Sequence, residues 1–306
     1  MRLWITAILC VLLISEIGEL RAKQIALTFD DSPRQANGVL SGSERASMLV
    51  AALERNNVEQ VAFFSVSQRL DAEGQNRLKT YSDAGHIIAN HTHSHPDINK
   101  TSEDAFIAEI KLASKLLGQY PTYKNWFRFP YLREGGELEK RNGVRQFLKT
   151  NKMLNAYITI NNYDWYIENQ FQNAAEQGIV LNDNAMKNYY VDIIMEAVEY
   201  YDQLAIKHLG RSPKHVLLLH ETDISALYID DLIQRLRQNN WKIITIEDAY
   251  EDDISEFEIS SPLKFNPGRI GEIALSEGQT KNLWHSSLEE SYLNNEFKRR
   301  VLSVSE

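Results

Sequence analysis

The chain has 306 residues, of which 43% are hydrophobic and 25% are charged, and both fractions are ordinary for a globular protein. Such a length accommodates one large domain with an appendage, or at most two domains. The formal net charge of −9 argues against nucleic-acid binding and disfavours a strongly anionic polymer as substrate, because either role needs a basic surface. A local basic groove could still be hidden in that average.

The first 22 residues have the pattern of a signal peptide for export. Arg2 supplies a positive charge, residues 3–14 are mostly apolar, and cleavage is expected after Leu20-Arg21-Ala22. The apolar run is shorter than the roughly 20 residues of a membrane span, although an uncleaved anchor is the alternative. The single cysteine, Cys10, lies in this run, so the mature chain would have no disulfide. We therefore expect a secreted or periplasmic protein with no stable membrane span after signal removal.

Short apolar runs alternate with helical stretches up to about residue 250. The predicted strands cover residues 24–29, 60–66, 86–89, 126–129, 156–160, 216–219 and 241–246. The predicted helices cover residues 44–55, 72–84, 102–117, 138–149, 185–209 and 229–238. Strands that alternate with helices of this length indicate parallel βαβ units. About seven such units fit a barrel better than a small open sheet, but periodicity alone does not separate the two.

The alternation stops after residue 250. An acidic run, Glu251-Asp252-Asp253, is followed by two turn signals, Ser260-Ser261-Pro262 and Asn266-Pro267-Gly268. We therefore divide the chain into a signal peptide at 1–22, a main domain at 23–250 and a C-terminal extension of unknown role at 251–306.

Chemically capable side chains follow four of the predicted strands. These groups are Asp30-Asp31, the stretch from His91 to His95, the stretch from Asn161 to Trp165, and His220-Glu221. In parallel α/β folds the carboxyl ends of the strands meet at one rim, where active sites are built. The sequence therefore predicts one site assembled from several loops.

The adjacent carboxylates of Asp30 and Asp31 can serve different roles. Neighbouring side chains in extended chain point in different directions, so one aspartate could bind a metal while the other moves protons. A helix cap or turn is the alternative, since Ser32-Pro33 follow and aspartate is common in turns.

His91 and His95 are four residues apart, so one helical turn would bring both imidazoles to the same face. That arrangement suits a divalent metal, and a carboxylate with two histidines leaves coordination positions open for water and substrate. The alternative is a solvated polar loop. His93 lies between the two and would point elsewhere on a helix.

His220 follows a fully apolar run, where a lone histidine is more often structural than catalytic. Asp164, at another predicted strand end, could orient its imidazole and stabilise its positive charge. Arg128 by itself indicates no more than a surface ion pair. The sequence contains no Gly-x-Ser-x-Gly elbow, phosphate-binding Gly-rich loop or His-Glu-x-x-His motif.

Taken together and in order, these residues resemble the motifs of the polysaccharide deacetylase superfamily, which includes chitin, peptidoglycan and acetylxylan deacetylases of carbohydrate esterase family four. The five matching segments are Thr28-Phe29-Asp30-Asp31, His91-Thr92-x-x-His95, Arg128-x-Pro130-Tyr131, Asp164-Trp165 and Leu218-x-His220. The resemblance covers about residues 25–250. It implies an α/β fold, a distorted (β/α) barrel with about seven parallel strands.

The resemblance also implies roles for these residues. Asp31, His91 and His95 would bind Zn²⁺, or another divalent cation such as Co²⁺ or Ni²⁺. Asp30 would be the general base that activates the attacking water, and Arg128 would keep it ionised and oriented.

The remaining motif residues would complete the reaction. The backbone N–H of Tyr131 would stabilise the oxyanion together with the metal. His220 would be the general acid, supported by Asp164, while Trp165 and Leu218 would enclose the acetyl methyl group.

The function that follows is removal of N- or O-linked acetyl groups from an acetylated glycan or oligosaccharide. A hydrolase of a small non-sugar amide on the same fold is one alternative, and a non-catalytic carbohydrate-binding protein is another. The complete proton-transfer set argues against the latter.

Three positions depart from the superfamily pattern. Ser32 replaces a usual glycine, so the turn there must tolerate a Cβ atom. Asn161 stands where the fourth motif often begins with aspartate, but Asp164 remains and activity is expected to survive. His93 occupies a variable position, as a substrate contact or an exposed side chain.

Overall fold

The computed structural model describes residues 22–36 and 38–304. The predicted signal peptide, with Cys10, falls almost entirely within residues 1–21, outside the described ranges, and stays a prediction. Within those ranges, no helix combines the length and apolar character needed to cross a membrane.

One sheet of parallel strands forms the centre of the described chain. The strands are β1 (Lys23–Ser32), β2 (Ala62–Ser65), β3 (Ile87–Asn90), β4 (Tyr123–Phe127), β5 (Leu154–Asn155), β6 (Lys214–His220) and β7 (Trp241–Ile243). Their order is β5-β4-β3-β2-β1-β6, and β7 pairs with the first residues of β1. Helices cover the sheet, so β1 and β6 are buried along most of their length and their central residues, 25–29 and 216–219, are mainly apolar.

Helices surround the sheet on the outside. They are α1 (Gly42–Arg55), α2 (Ala72–Asp83), α3 (Glu103–Leu117), α4 (Leu138–Thr150), α5 (Asp164–Glu176), α6 (Asp183–Leu209), α7 (Asp223–Gln238), α8 (Ile246–Ala249), α9 (Arg269–Ser276) and α10 (Glu290–Arg300). This arrangement of parallel strands and outer helices confirms the predicted distorted (β/α) barrel.

The segment after β5 closes the barrel, and here the predicted strand over 156–160 is wrong. Regular pairing is limited to the two residues of β5 and one bridge to β6. Other groups bind the intervening carbonyls: Arg128 Nε donates to Ala156 O at 3.0 Å, and the Arg269 N–H donates to Ile158 O at 2.8 Å. The ring of strands is therefore completed by an irregular segment.

Two helices begin earlier than their apolar periodicity predicts because capping side chains precede them. Ser41 and Glu44 form a capping box at the start of α1, and Thr222 caps α7 by accepting from the Ser225 N–H. The stretch predicted as a long loop after residue 160 contains α5, which begins directly at Asp164. The helix was missed because polar residues dominate its sequence.

The C-terminal extension packs on the barrel rather than forming a core of its own. Ile270 and Ile273 of α9 and Leu293 and Phe297 of α10 are buried in the same hydrophobic core as the strands. The extension also places its backbone against the irregular segment through Arg269. Its boundary at residue 251 stays a prediction from sequence.

Candidate active site at the carboxyl ends of the strands

A cleft of about 520 Å³ opens at the carboxyl ends of β1, β3 and β6. Eight of the predicted site residues line it: Asp30, Asp31, His91, His95, Tyr131, Trp165, Leu218 and His220. The other two, Arg128 and Asp164, are buried directly behind Asp30 and His220. The fold thus brings together all ten residues, which come from five separate segments, and their chemical roles remain predictions.

Backbone strain is concentrated at this rim. Asp31, His95, Tyr131 and Leu132 have φ angles of 66°, 60°, 57° and 55°, in the left-handed region that non-glycine residues rarely adopt. Such conformations persist only where the surrounding structure enforces them, and they cluster at functional sites. The positive φ falls on Asp31 and not on Ser32, so the serine in place of the usual glycine is accommodated without a left-handed turn of its own.

Three side chains form the single group within the described ranges that could hold a metal ion. Asp31, His91 and His95 each present one ligand atom, and these atoms lie within 4.8 Å of one another. Asp31 Oδ1 is 3.3 Å from His95 Nε2 and 4.0 Å from His91 Nε2. Tetrahedral zinc with bonds of about 2.0–2.1 Å separates its ligand atoms by roughly 3.3 Å, so the spacing is compatible with an ion at the centre.

Two further observations test whether these residues suit a metal. Asp31 Oδ1 is buried and makes no hydrogen bond to any described group, which is costly for a carboxylate unless a cation neutralises it. His91 Nδ1 lies 2.8 Å from Arg128 O, so this nitrogen carries the proton and Nε2 is left with its lone pair. The donor set, the orphaned oxygen and the imidazole tautomer all fit a divalent ion.

The histidines meet by a route different from the predicted one. Residues 91–97 form an irregular loop after β3, so the helical turn that sequence spacing suggested is absent there. Left-handed conformations at Thr92 and His95 turn this loop, and the two rings approach to 4.9 Å between centroids. His93 points away from the cleft and bonds with Ser67 Oγ at 3.0 Å.

Asp30 is held by Arg128 on one side only. Arg128 Nη1 donates to Asp30 Oδ1 at 2.6 Å and to Thr28 Oγ1 at 2.8 Å, while Nη2 donates to Tyr250 Oη at 3.2 Å. The guanidinium also stacks over the Phe64 ring at 3.8 Å. Asp30 Oδ2 remains and faces the histidine cluster, 3.7 Å from His91 Nε2. A carboxylate so placed has one fixed and one available oxygen.

His220 and Asp164 form a second buried pair. His220 Nδ1 lies 2.6 Å from Asp164 Oδ1, and the His220 backbone N–H donates to Asp164 Oδ2 at 2.6 Å. Asp164 Oδ1 also accepts from the Trp165 N–H at 2.9 Å, and Asn162 Oδ1 accepts from the Asp164 N–H. This network fixes the imidazole with Nδ1 as donor, so Nε2 is the nitrogen available to the cleft.

The electrostatic environments of these groups differ. Burial raises the pKa of Asp30, and the nearby Arg128 charge opposes that rise without cancelling it. For Asp31, burial acts upward but the charges of the neighbouring histidines and Arg69 dominate, so its pKa is lowered. Burial lowers the pKa of His91 and of His95 to about 4.

The pKa of His220 shifts in the opposite direction from the pKa values of His91 and His95. Burial alone would lower its pKa, but the charge of Asp164 and the hydrogen bond to it prevail and raise the value. The site therefore contains two imidazoles that favour the neutral form and one that favours the protonated form.

Sequence reasoning missed several residues of this cleft. Arg34, Arg69 and Arg133 line it, so the cleft carries a local basic group that the net charge of −9 conceals. Arg69 Nη1 donates to the Asp31 backbone oxygen at 2.6 Å, which helps to hold the strained turn. Each arginine lies in the segment that follows a strand, and this position in the sequence could have indicated that it lines the cleft.

Tyr163, Asn161 and Phe265 also line the cleft. Asn161 is buried at the position where superfamily members often have aspartate. Phe265 belongs to the C-terminal extension, for which the sequence offered no role.

The fold and the cleft together define an α/β-barrel protein with a histidine- and carboxylate-rich site at the carboxyl ends of its strands. The family profile described as polysaccharide deacetylase matches residues 17–151. A peptidoglycan-N-acetylglucosamine deacetylase of Bacillus cereus is 24% identical over 241 residues, which cover 76% of this chain and 70% of that protein. These findings support the resemblance of the chain to the polysaccharide deacetylase superfamily.

Solved structures agree on the fold. The catalytic domain of a peptidoglycan N-acetylglucosamine deacetylase from Eubacterium rectale aligns with a TM-score of 0.52 at 18% identity, covering 80% of this chain and 93% of that one. A pseudoenzyme of carbohydrate esterase family four from Bacillus anthracis aligns with a TM-score of 0.51 at 16% identity, covering 81% and 68%. Since this fold also supports a pseudoenzyme, activity must be argued from the site residues themselves.

Proposed function

We propose that this protein is a metal-dependent hydrolase that removes acetyl groups from a carbohydrate. The observation that carries the proposal is the placement of two proton-transfer pairs beside one metal-binding cluster in a single cleft. Asp30 with Arg128 lies on one strand end, and His220 with Asp164 lies on the next. Hydrolysis of an amide or ester needs a base, an acid and an electrophile in this kind of proximity.

Asp31, His91 and His95 would hold the ion, which we expect to be zinc or another divalent cation such as Co²⁺ or Ni²⁺. When bound, the ion supplies a Lewis acid that lowers the pKa of water and stabilises developing negative charge. The residues around it supply the proton transfers and the positioning of the substrate.

Asp30 Oδ2 would accept the proton of the attacking water, because Oδ1 is already engaged by Arg128. His220 would then donate a proton from Nε2 to the leaving nitrogen or oxygen, with Asp164 stabilising the imidazolium. The backbone N–H of Tyr131 would donate to the oxyanion. Leu218 and Trp165 would exclude water from around the acetyl methyl group.

A glycan is the substrate class that the cleft and the relatives favour. The cleft of about 520 Å³ is far larger than an acetyl group needs and is lined by aromatic side chains as well as arginines. The Bacillus cereus relative is named for action on peptidoglycan N-acetylglucosamine, so an N-acetylated amino sugar is the first substrate to test.

The test is acetate release from a panel of N-acetylated and O-acetylated glycans and small acetamides by the metal-loaded protein. Glycan-specific release that Asp30→Asn abolishes would support the proposal. Release from small amides alone would favour a non-sugar amidase. Glycan binding without any release would indicate a carbohydrate-binding protein that has lost catalysis.

A further inference from the structure

The C-terminal extension reaches the cleft through one aromatic side chain, Phe265, with Trp284 beside it. We propose that these two rings form a sugar-binding subsite that stacks on a pyranose ring next to the acetylated residue. The substrate is then an oligosaccharide chain rather than a single sugar. This inference deepens the proposed function and rests on it for the identity of the neighbouring acetylated sugar.

Residues on both sides of Phe265 contact the barrel rim, through a side chain before it and through the backbone after it. Lys264 lies against Gly136, where an added Cβ atom would come within 3.0 Å of the Lys264 Cγ. On the other side, the backbone N–H of Arg269 donates to Ile158 O at 2.8 Å. Phe265 is therefore held between two anchored points rather than at the end of a free tail.

Gly268 allows the backbone after Phe265 to approach Ile158 closely. It has a φ of 92°, and a Cβ atom there would meet Ile158 Cδ1 at 2.7 Å. Only glycine allows this approach without a shift of the neighbouring side chain. The turn signal Asn266-Pro267-Gly268 thus places the preceding phenylalanine at the cleft.

Trp284 is positioned by a different part of the extension. Ser287, three residues after Trp284, accepts through its backbone oxygen from the Tyr163 N–H at 3.1 Å. Tyr163 directly precedes Asp164, where α5 begins. The Phe265 and Trp284 rings then meet with centroids 5.2 Å apart and planes at 68°. Two separate stretches of the extension thus converge on one point of the rim.

The pair remains exposed although its residues are large and apolar. Phe265 is 37% exposed and Trp284 39% exposed. Exposed apolar patches that continue into a cleft mark binding sites. A ligand that covers an exposed aromatic ring removes it from water, and this burial favours binding. The C–H face of a pyranose ring matches such a surface, while the sugar hydroxyls stay in water or reach polar groups.

Because Phe265 lines the same cleft as the proposed catalytic residues, we expect the pair to bind another sugar of the glycan that is deacetylated. Tyr163 and Trp165 line the same cleft, and their ring centroids are 5.0 Å apart. Aromatic side chains of the barrel and Phe265 of the extension thus line one cleft, and Trp284 contacts Phe265 at its edge. A linear glycan with its acetylated residue at the metal cluster would lay a neighbouring ring across this pair.

The experiment compares Phe265→Ala, Trp284→Ala and the double variant with a matched control, Leu112→Ala. Leu112 is 41% exposed on α3 and outside the cleft. The probes are β-1,4-linked N-acetylglucosamine oligomers of increasing length. We expect kcat/KM for the longer oligomers to fall about tenfold through KM, with single sugars and an aryl acetate little changed. Phe265→Tyr, which keeps a ring, should restore the rate.

Binding measured by calorimetry in the metal-loaded Asp30→Asn protein separates this inference from the proposed function. If no glycan is deacetylated but the long oligomers bind, and bind about tenfold more weakly to the aromatic variants, the subsite is supported and the proposed deacetylation is refuted. Equal losses on single sugars and long oligomers, or losses matched by Leu112→Ala, would overturn the subsite. A wild-type dimer that the double variant dissociates, with unchanged oligomer binding, would also overturn it.

Discussion

Asp30 and His220 occupy paired positions on the neighbouring parallel strands β1 and β6. The register places the proposed base and the proposed acid side by side at the rim, each with its own buried partner, Arg128 or Asp164. The strand pairing from Gln24 to Asp30 is uninterrupted, so the separation of these two groups is set by the most regular part of the sheet.

The two aspartates should separate metal binding from catalysis. We expect Asp30→Asn to retain the metal and to lose about 10²–10⁴-fold in turnover, because a positioned base contributes that much. Asp31→Asn should lose metal affinity instead, since its Oδ1 faces both histidines. Elemental analysis and acetate release on the two variants decide the matter. A fully active Asp30→Asn protein would mean that the base lies elsewhere.

The histidine cluster predicts one divalent ion per chain. His91→Ala/His95→Ala should remove both the ion and the activity, because two of three ligands are lost. His93→Ala is the matched control, since His93 lies in the same loop but bonds with Ser67 outside the cleft. Metal content is measured by elemental analysis after dialysis. Full occupancy in the double variant would refute the ligand assignment.

His86 should make the protein less stable in mild acid. Burial lowers its pKa to about 4, below the ordinary value of 6.5, so the unfolded state binds the proton first. The contribution of the neutral His86 to the free energy of unfolding is fully present above pH 6.5. It is lost as pH falls toward 4, by about 3 kcal/mol in the limit. His86→Gln should therefore flatten the fall of the unfolding free energy between pH 6.5 and 4. Identical slopes in denaturant titrations of both proteins would contradict this.

A buried ion pair behind the cleft should matter far more than an exposed one. Arg45 Nη2 lies 2.7 Å from Asp223 Oδ1, and both side chains are completely buried. Arg45→Ala leaves the carboxylate uncompensated and should cost about 3–5 kcal/mol of unfolding free energy. The control is Arg55→Ala, because Arg55 is 61% exposed in its pair with Asp230 and should cost less than about 1 kcal/mol. Similar losses in chemical denaturation would show that burial is not decisive.

Sequence reasoning reached the strand ends and the fold class because both depend on local patterns. Asp30-Asp31 and His220 follow apolar runs, and parallel strands bring such positions to one rim. The loop that joins His91 and His95 was not predictable, since its left-handed turns depend on packing rather than on residue spacing. The irregular segment after β5 was predicted as a strand because residues 156–160 form an apolar run, but side chains and backbone groups distant in sequence bind its carbonyls.

The part played by Phe265 could not be predicted from sequence for a related reason. Its position depends on contacts of Lys264 and Gly268 with residues more than 100 positions away along the chain. No local pattern encodes such a pairing.

The most direct test of the proposed deacetylation is the effect of His220→Ala on two substrates at equal metal occupancy. An amine is a poor leaving group without a proton, whereas an activated aryl acetate leaves readily, so a general acid matters most for the amide. We predict that kcat/KM falls much more for an N-acetylated oligosaccharide than for the aryl acetate, with Asp164→Asn showing the same bias more mildly. Equal losses on both substrates would contradict the role of His220 as general acid, and no acetate release from the glycan by the unmodified protein would contradict the proposed reaction.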